Sequence, residues 1–256
     1  MLHGHAWSVC GVGWRPDGGL LASSGWDNAI RLWDGATGRP LQIIGDRDHP
    51  DTPFWGLAWS PDGTRLVAGG DDGHVYVWDA ADGRLLLQLA GHQGAVMSVA
   101  WSPDGSRLAT SSGLGDSGEV VVWDASSGRR VRDVGGHPAV ATAVTWSPSG
   151  EQLVSGGSDG RLRWWQLQSG ECVRVREAHL GTVQTLKVSP DGSTLASCGD
   201  DGAIQLWNLQ SGELLRTLRR DRPYERLNIT GIRGLSEAQK ASLRTLGAFE
   251  ETSVGG

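Results

Sequence analysis

Through the first four fifths of the chain, apolar residues fall at alternate positions in short runs, and the runs recur in a fixed order. One copy shows the pattern cleanly: AVATAVTW at 139–146, QLVSG at 152–156, RLRWWQ at 161–166 and CVRVR at 172–176. A period of two is the repeat of a strand, whose successive side chains point to opposite faces. Turn dipeptides such as Asp-Gly or Ser-Gly close the runs, and Gly supplies the positive φ that tight hairpins require. Four antiparallel strands per copy and five copies predict an all-β chain with only local connections. Such an array behaves as a quasi-one-dimensional unit rather than as several independent domains.

The copies can be counted on two residue types. His5, His49, His92, His137 and His179 are each followed 28 to 31 residues later by Trp33, Trp78, Trp123, Trp165 and Trp207. The Gly-His pairs Gly4-His5, Gly91-His92 and Gly136-His137 open units, and the Trp-Asp pairs Trp33-Asp34, Trp78-Asp79 and Trp123-Asp124 end third strands. WRPDG at 14–18, WSPDG at 59–63 and 101–105, WSPSG at 146–150 and VSPDG at 188–192 mark the first hairpin turns. On these residues the chain resembles the WD-repeat β-propeller family from residue 4 to about 218. Trp165-Gln166, Trp207-Asn208, Asp48-His49 and Ala178-His179 depart from the dipeptides, but the His, turn Asp and Trp persist.

The expected fold is therefore a β-propeller of five four-stranded antiparallel blades over 1–218, with blades at about 4–45, 46–90, 91–135, 136–177 and 178–218. The family resembled usually has seven blades and often closes its ring with an N-terminal strand. Here LLRTL at 214–218 fills the last outer strand from the C-terminal side, so no strand clasps the ring. Five blades must strain closed, join something larger, or stay an open arc. An open arc leaves apolar blade faces bare at both ends, which invites self-association.

The period changes in the tail, 219–256. YERLNIT at 224–230 predicts one more strand. Ser236-Glu237-Ala238-Gln239 is a capping-box pattern, and it predicts a short amphipathic helix over 236–246, docked on the last blade to cover its edge. The run from Arg222 to Ala248 also resembles the tails that follow propellers in some large bacterial signalling NTPases.

Charge, cysteine and hydropathy exclude several partners. The net charge is −6, and residues 216–256 carry eight Arg or Lys against five Asp or Glu, so a tail at +3 leaves −9 on the repeats. An acidic body does not bind a phosphate backbone, so nucleic acid is not expected. Cys10, Cys172 and Cys198 form no CxxC pattern and read as small buried thiols of a reducing compartment. No apolar run reaches 18 residues and MLHGHAW holds no signal-peptide core, which predicts a soluble, cytoplasmic chain away from membranes.

A recurring His, hydroxyl and Asp raises the question of a catalytic triad. The sets are His5, Ser23, Asp27 and Trp33; His49, Asp72 and Trp78, with Ala68 at the hydroxyl position; His92, Thr110, Asp116 and Trp123; His137, Ser155, Asp159 and Trp165; and His179, Ser197, Asp201 and Trp207. A nucleophile needs one activated Ser in a cleft, whereas this set recurs in nearly every unit. The family resemblance implies a structural tetrad, in which Asp accepts from His, His accepts from Ser or Thr, and the hydroxyl accepts from the indole N–H. Blades two and three, with Ala68 and the longer turn SSGLGDSGE, are expected to be the less regular. His3 and His74 lack a second ligand at useful spacing, so no metal and no cofactor is expected.

The 13 tryptophans leave a residue after this accounting. Five end third strands, Trp14, Trp59, Trp101 and Trp146 end first strands, and Trp164 reads as inter-blade core. Trp7, Trp26 and Trp55 remain, and strand order sends all three to the face around the channel mouth. Trp55 shares a column with Cys10, Met97, Thr142 and Gln184, while Asp71 and Asp200 occupy the position of Trp26. Trp7, Trp26, Trp55, Asp71, Met97, Gln184 and Asp200 are thus the candidate partner-binding residues, suited to basic and apolar groups on a protein or peptide. A non-catalytic interaction scaffold is the first reading. A sensor or autoinhibitory module of a signalling NTPase is the second; no GxxxxGK[ST] segment occurs, so the nucleotide chemistry would lie elsewhere. A five-bladed propeller enzyme would need inward carboxylates on the first strands, and those segments carry none.

Overall fold

The computed structural model describes residues 3–45, 52–219, 227–232, 234–246 and 248–250. Twenty strands form five four-stranded antiparallel sheets, each a meander in sequence order. The first contains β1 (Val9–Trp14), β2 (Leu20–Gly25), β3 (Ile30–Asp34) and β4 (Pro40–Ile44). The second contains β5 (Phe54–Trp59), β6 (Arg65–Gly70), β7 (Val75–Asp79) and β8 (Leu85–Leu89). The third has β9 (Val96–Trp101), β10 (Arg107–Leu114), β11 (Ser117–Asp124) and β12 (Arg130–His137). The fourth has β13 (Ala141–Trp146), β14 (Gln152–Gly157), β15 (Arg161–Gln166) and β16 (Cys172–Glu177). The fifth has β17 (Val183–Val188), β18 (Thr194–Gly199), β19 (Ala203–Asn208) and β20 (Leu214–Arg219). The five blades form a propeller with the first strands innermost: β1 packs on β5, β5 on β9, β9 on β13 and β13 on β17.

Turn chemistry explains the regular hairpins. In SPDG the Ser60 hydroxyl and the Thr64 amide both bond Asp62 Oδ1, at 2.5 and 3.1 Å, while Gly63 takes φ +70°. Ser102, Asp104 and Gly105 repeat the arrangement in the third blade. The long turn of that blade is absorbed into the strands: β10 and β11 have eight residues each, against five or six in the equivalent strands.

Cores lie between blades, not within them. Ala22, Ile30, Leu32 and Ile44 of the first blade meet Phe54, Leu57, Trp59, Leu66 and Trp78 of the second. Val67, Val75, Val77 and Leu89 meet Val96, Val99, Trp101 and Leu108 in the same way. Trp164 lies in the cluster shared by blades four and five, where its indole N–H donates to the Leu209 carbonyl at 2.8 Å.

The arc does not close, because β17 and β1 are not packed as neighbours in the way of the other four pairs. Exposure of equivalent positions shows the consequence. Phe54, Val96, Ala141 and Val183 are fully buried, but Val9 in that column is 54 % exposed. Leu57, Val99, Val144 and Leu186 are at most 9 % exposed, against 61 % for Val12, and Trp14 stands at 57 % where Trp59 stands at 8 %. At the other end Ile204 is 40 % exposed, where Ile30, Val75 and Leu162 are at 0 %.

The chain divides into compact units at Met1–Thr217 and Leu218–Gly256. In the second, helix α1 (Glu237–Thr245) begins at a capping box, with the Ser236 hydroxyl accepting from the Gln239 amide and the Gln239 side chain accepting from the Ser236 amide. Of the expected strand at 224–230, residues 224–226 lie outside the described residues. Asn228 forms a single parallel bridge to Phe249, and Ile229 is buried.

Candidate functional site

In blades one, three, four and five the His, hydroxyl and Trp come together at one end of the blade, and hydrogen bonds join them. In the first blade His5 Nδ1 lies 2.7 Å from Asp27 Oδ1, His5 Nε2 2.7 Å from Ser23 Oγ, and Trp33 Nε1 donates to Ser23 Oγ at 2.8 Å. The fifth blade repeats this with His179–Asp201 at 2.9 Å, His179–Ser197 at 2.8 Å and Trp207–Ser197 at 3.0 Å. The carboxylate can only accept, so the ring donates from Nδ1 and its Nε2 accepts from the hydroxyl, which in turn accepts from the indole N–H. Ser155 and Ser197 are fully buried. A hydroxyl so enclosed and committed does not meet a substrate. Burial alone would raise the Asp27 and Asp201 carboxyls, but hydrogen bonds from the ring and from backbone amides outweigh it and hold both below the usual range.

Two blades differ from the spacing-based sets. In the third, His92 Nε2 meets Thr110 Oγ1 at 2.7 Å and Trp123 donates to Thr110 at 2.8 Å, but the carboxylate on His92 Nδ1 is Glu119 Oε2 at 3.0 Å. The assignment of Asp116 is thereby corrected. Lengthening of β10 and β11 carries the turn bearing Asp116 into solvent, and Glu119 on β11 reaches the ring instead. In the second blade, His49 lies outside the described residues. Asp72 Oδ2 there accepts from the Tyr76 hydroxyl at 2.5 Å, and the Tyr76 hydroxyl is pushed up by burial and by that carboxylate. Ala68 contributes no oxygen; Phe54 stands edge-on to Trp78 and Tyr76 at 5.5 and 5.7 Å, so aromatic packing fills the place.

The fourth blade contains a residue that spacing did not mark. Arg163, buried, puts Nη1 2.6 Å from His137 Nδ1 and Nη2 2.7 Å from Asp159 Oδ2, while His137 and Asp159 themselves stand 3.6 Å apart. A guanidinium only donates, so His137 Nδ1 must accept and the ring proton sits on Nε2, donating to Ser155 Oγ at 2.7 Å. The direction of the hydrogen bonds is reversed relative to blades one and five. The position two before the blade Trp holds Arg31, Tyr76 and Arg163, and each contacts the turn Asp. That column was the available signal.

Burial first, and then the Arg163 charge, push His137 down to about 4 from an ordinary 6.5. Between those values the unfolded chain binds a proton that the folded chain does not. The stability from this group is complete above about pH 6.5 and is lost as pH falls toward 4. Urea unfolding should show a loss of about 3 kcal/mol from pH 7 to pH 4 attributable to this ring. The His137→Gln variant should lack that part of the slope, and an unchanged slope would disprove the assignment.

At the channel mouth, β-bulges set the candidate column. Pairing of first with second strands skips Cys10, Trp55 and Gly56, Met97, Thr142 and Gln184 in the five blades. A bulged residue is freed from the ladder and re-aimed. Cys10, Met97, Thr142 and Gln184 line a central cavity of roughly 630 Å³, which also contains Lys187, a channel residue that strand pattern had not singled out. Gln184 donates to Asp200 Oδ1 at 2.7 Å. Trp55 packs edge-on against Trp26 at 5.3 Å between centroids and donates from Nε1 to Asp71 Oδ1 at 3.0 Å. Trp26 is 44 % exposed.

Trp7 does not join them. It lines a pocket of about 290 Å³ with Val9, Val12, Leu21 and Trp33, on the bare face of the first blade. Trp7 itself is 70 % exposed. A larger cleft of about 870 Å³ between blades three and four has a counterpart of about 490 Å³ between blades four and five, so it is a product of the repeat.

Cys10 and Cys172 are exposed and Cys198 half-buried, which corrects the expectation of buried thiols: β1 has no neighbour on one side and β16 is an outermost strand. All three are free. Among the described residues no group of His, Cys, Asp or Glu could hold a metal ion, and no helix is long and apolar enough to cross a membrane.

Among known proteins, the chain is 49 % identical over 39 residues to the WD repeat-containing protein slp1 of Schizosaccharomyces pombe, over 15 % of this chain and 8 % of that one. It is 58 % identical over 33 residues to the anaphase-promoting complex subunit cdc20 of Dictyostelium discoideum, over 13 % of this chain and 7 % of that one. The chain thus matches less than a tenth of the length of either curated relative, about one blade's worth. The family model described as WD domain, G-beta repeat matches residues 1–34, 38–79, 83–124, 128–166 and 170–208, one match for each blade. Blade by blade, then, sequence and fold agree, and the chain belongs to the WD-repeat (G-beta repeat) family.

Proposed function

We propose that the chain is a non-catalytic scaffold that holds a protein or peptide partner at the channel mouth, on Trp26, Trp55 and Asp71, with Met97, Gln184 and Asp200 around the opening. WD-repeat propellers are generally non-catalytic interaction scaffolds, which fits this reading. The observation that carries it is the Trp26–Trp55 pair: two large rings, fixed edge to face, one anchored to a carboxylate. Rigid aromatics bury area at little entropic cost, and a cation beside an aromatic face and an acid gains from both. The partner therefore presents a basic residue flanked by apolar ones. The chain's three free cysteines fit a reducing, cytoplasmic setting.

A pull-down from the source cell should recover the partner with wild type and lose it with Trp26→Ala plus Trp55→Ala, by tenfold or more. Asp71→Asn should weaken capture less, and all variants should melt within a few degrees of wild type. Equal recovery by the double variant would dismiss this face. A second reading, a sensor module of a signalling NTPase, is supported by the tail sequence from Arg222 to Ala248, and residues 218–256 form their own compact unit. Co-purification of a P-loop protein would favour it.

A further inference from the structure

We propose that the protein self-associates head to tail, the outer face of blade five in one copy packing on the outer face of blade one in the next. This does not depend on the channel-mouth reading. The argument starts from four internal interfaces that are copies of one another. In each, a receiving face led by second and third strands meets an entering face led by the first strand of the following blade. Among the described residues one member of each kind is left bare. Blade one presents the entering face, Val9, Val12 and Trp14, and blade five presents the receiving face, Ala196, Ile204 and Leu206.

Hydrogen bonding gives the contact a direction. At two of the four interfaces the indole of the entering blade donates to a first-strand carbonyl of the blade before it, Trp59 to Gly13 at 2.9 Å and Trp146 to Ala100 at 3.1 Å; Trp101 makes no such bond and blade five has Val188 there. Trp14 is the equivalent indole in blade one, exposed and with no blade packed before it among the described residues, and Lys187 of a second copy offers the equivalent carbonyl. Outer strands add a second bond: Arg174 Nη1 donates to the Gln210 carbonyl at 2.8 Å, and Arg216 stands in β20 where Arg174 stands in β16. Its acceptor in a second copy is the Ala36 carbonyl. Donors and acceptors lie on opposite ends, so pairing two like faces would set indole against indole. A second copy carries the one surface on the page already shown to fit. A contact between unlike faces is heterologous, and it grows until a rotation closes it.

The experiment is light scattering on the full chain over a concentration series, with variants that block one end. Trp14→Glu spoils the entering face and Ile204→Glu the receiving face; Val12→Glu and Arg216→Glu are a second pair should either fail to melt cooperatively. Wild type should rise in mass with concentration. Each variant alone should stay monomeric, and an equal mixture of the two should reach twice the monomer mass and stop, since each supplies one intact face. A wild type that is monomeric throughout, a mixture that remains monomeric, or association that survives either variant would each overturn the proposal.

Discussion

Asp159→Ala should destabilise the protein by about 3–5 kcal/mol, a downward shift of melting temperature of order 10 °C for a chain of this size. The reason is the buried arginine. Arg163 lies on the inside of the fourth blade with its two terminal nitrogens against His137 Nδ1 and Asp159 Oδ2. The histidine accepts without supplying charge, so Asp159 is the compensating anion there. Removing it leaves a guanidinium stranded in a site from which water is excluded, and that penalty exceeds the loss of one hydrogen bond. Asp201→Ala removes a carboxylate that bonds the His179 ring and backbone amides with no buried guanidinium beside it, and should cost about 1–3 kcal/mol. Asp27→Ala should fall in the same range, because Arg31 stands 3.3 Å away and its side chain is more exposed than that of Arg163. The double variant Asp159→Ala with Arg163→Leu removes both charges and should recover a large part of the loss. Urea unfolding of the four variants at pH 7 decides it. Equal losses for the three single substitutions would refute the buried-charge account.

The architecture was readable because its signals are local. Alternation marks strands, Asp-Gly marks hairpins, and the interval from His to Trp counts blades; none of these needs a distant residue. What was not readable depends on three-dimensional position. Asp116 has the right spacing for the third tetrad, but a turn absorbed into β10 and β11 carries it away and brings Glu119 in. Arg163 looks like any polar residue on a strand until its neighbours are known, and only then does it reverse the proton on His137. Trp7 was grouped with Trp26 and Trp55 on strand order, which assumes a ring that continues past the first blade. The bulges that skip Met97 and Gln184 were likewise invisible, although the column they create was legible by alignment of the units. Closure was the alternative that sequence left open. Side chains at the blade interfaces fix the rotation from one blade to the next, and four such rotations bring β17 short of β1.

At concentrations where the chain is monomeric, blade five of the open arc is held on one side only, and Trp164→Ala should release it selectively. Trp164 is fully buried between the fourth and fifth blades, in contact with a cluster that includes Val183, Leu186, Leu195 and Trp207, and its indole N–H is bonded to Leu209. Truncating a Trp at such a site costs about 3–5 kcal/mol. In a closed ring that loss would be shared, since the blade would still be clamped by its other neighbour. In a linear array stability is close to a sum of unit and nearest-neighbour terms, so the loss falls on the terminal unit. Hydrogen exchange on the variant should therefore show lost amide protection across β17 to β19, with β5 to β11 unchanged. Trp33→Ala makes the opposite test. That ring borders the pocket on the bare face of the first blade, and its loss should unprotect β1 to β3 while leaving β17 to β19 as they were. Protection that falls evenly over all five blades in both variants would mean that the ends are coupled, either by closure of the arc or through a second copy.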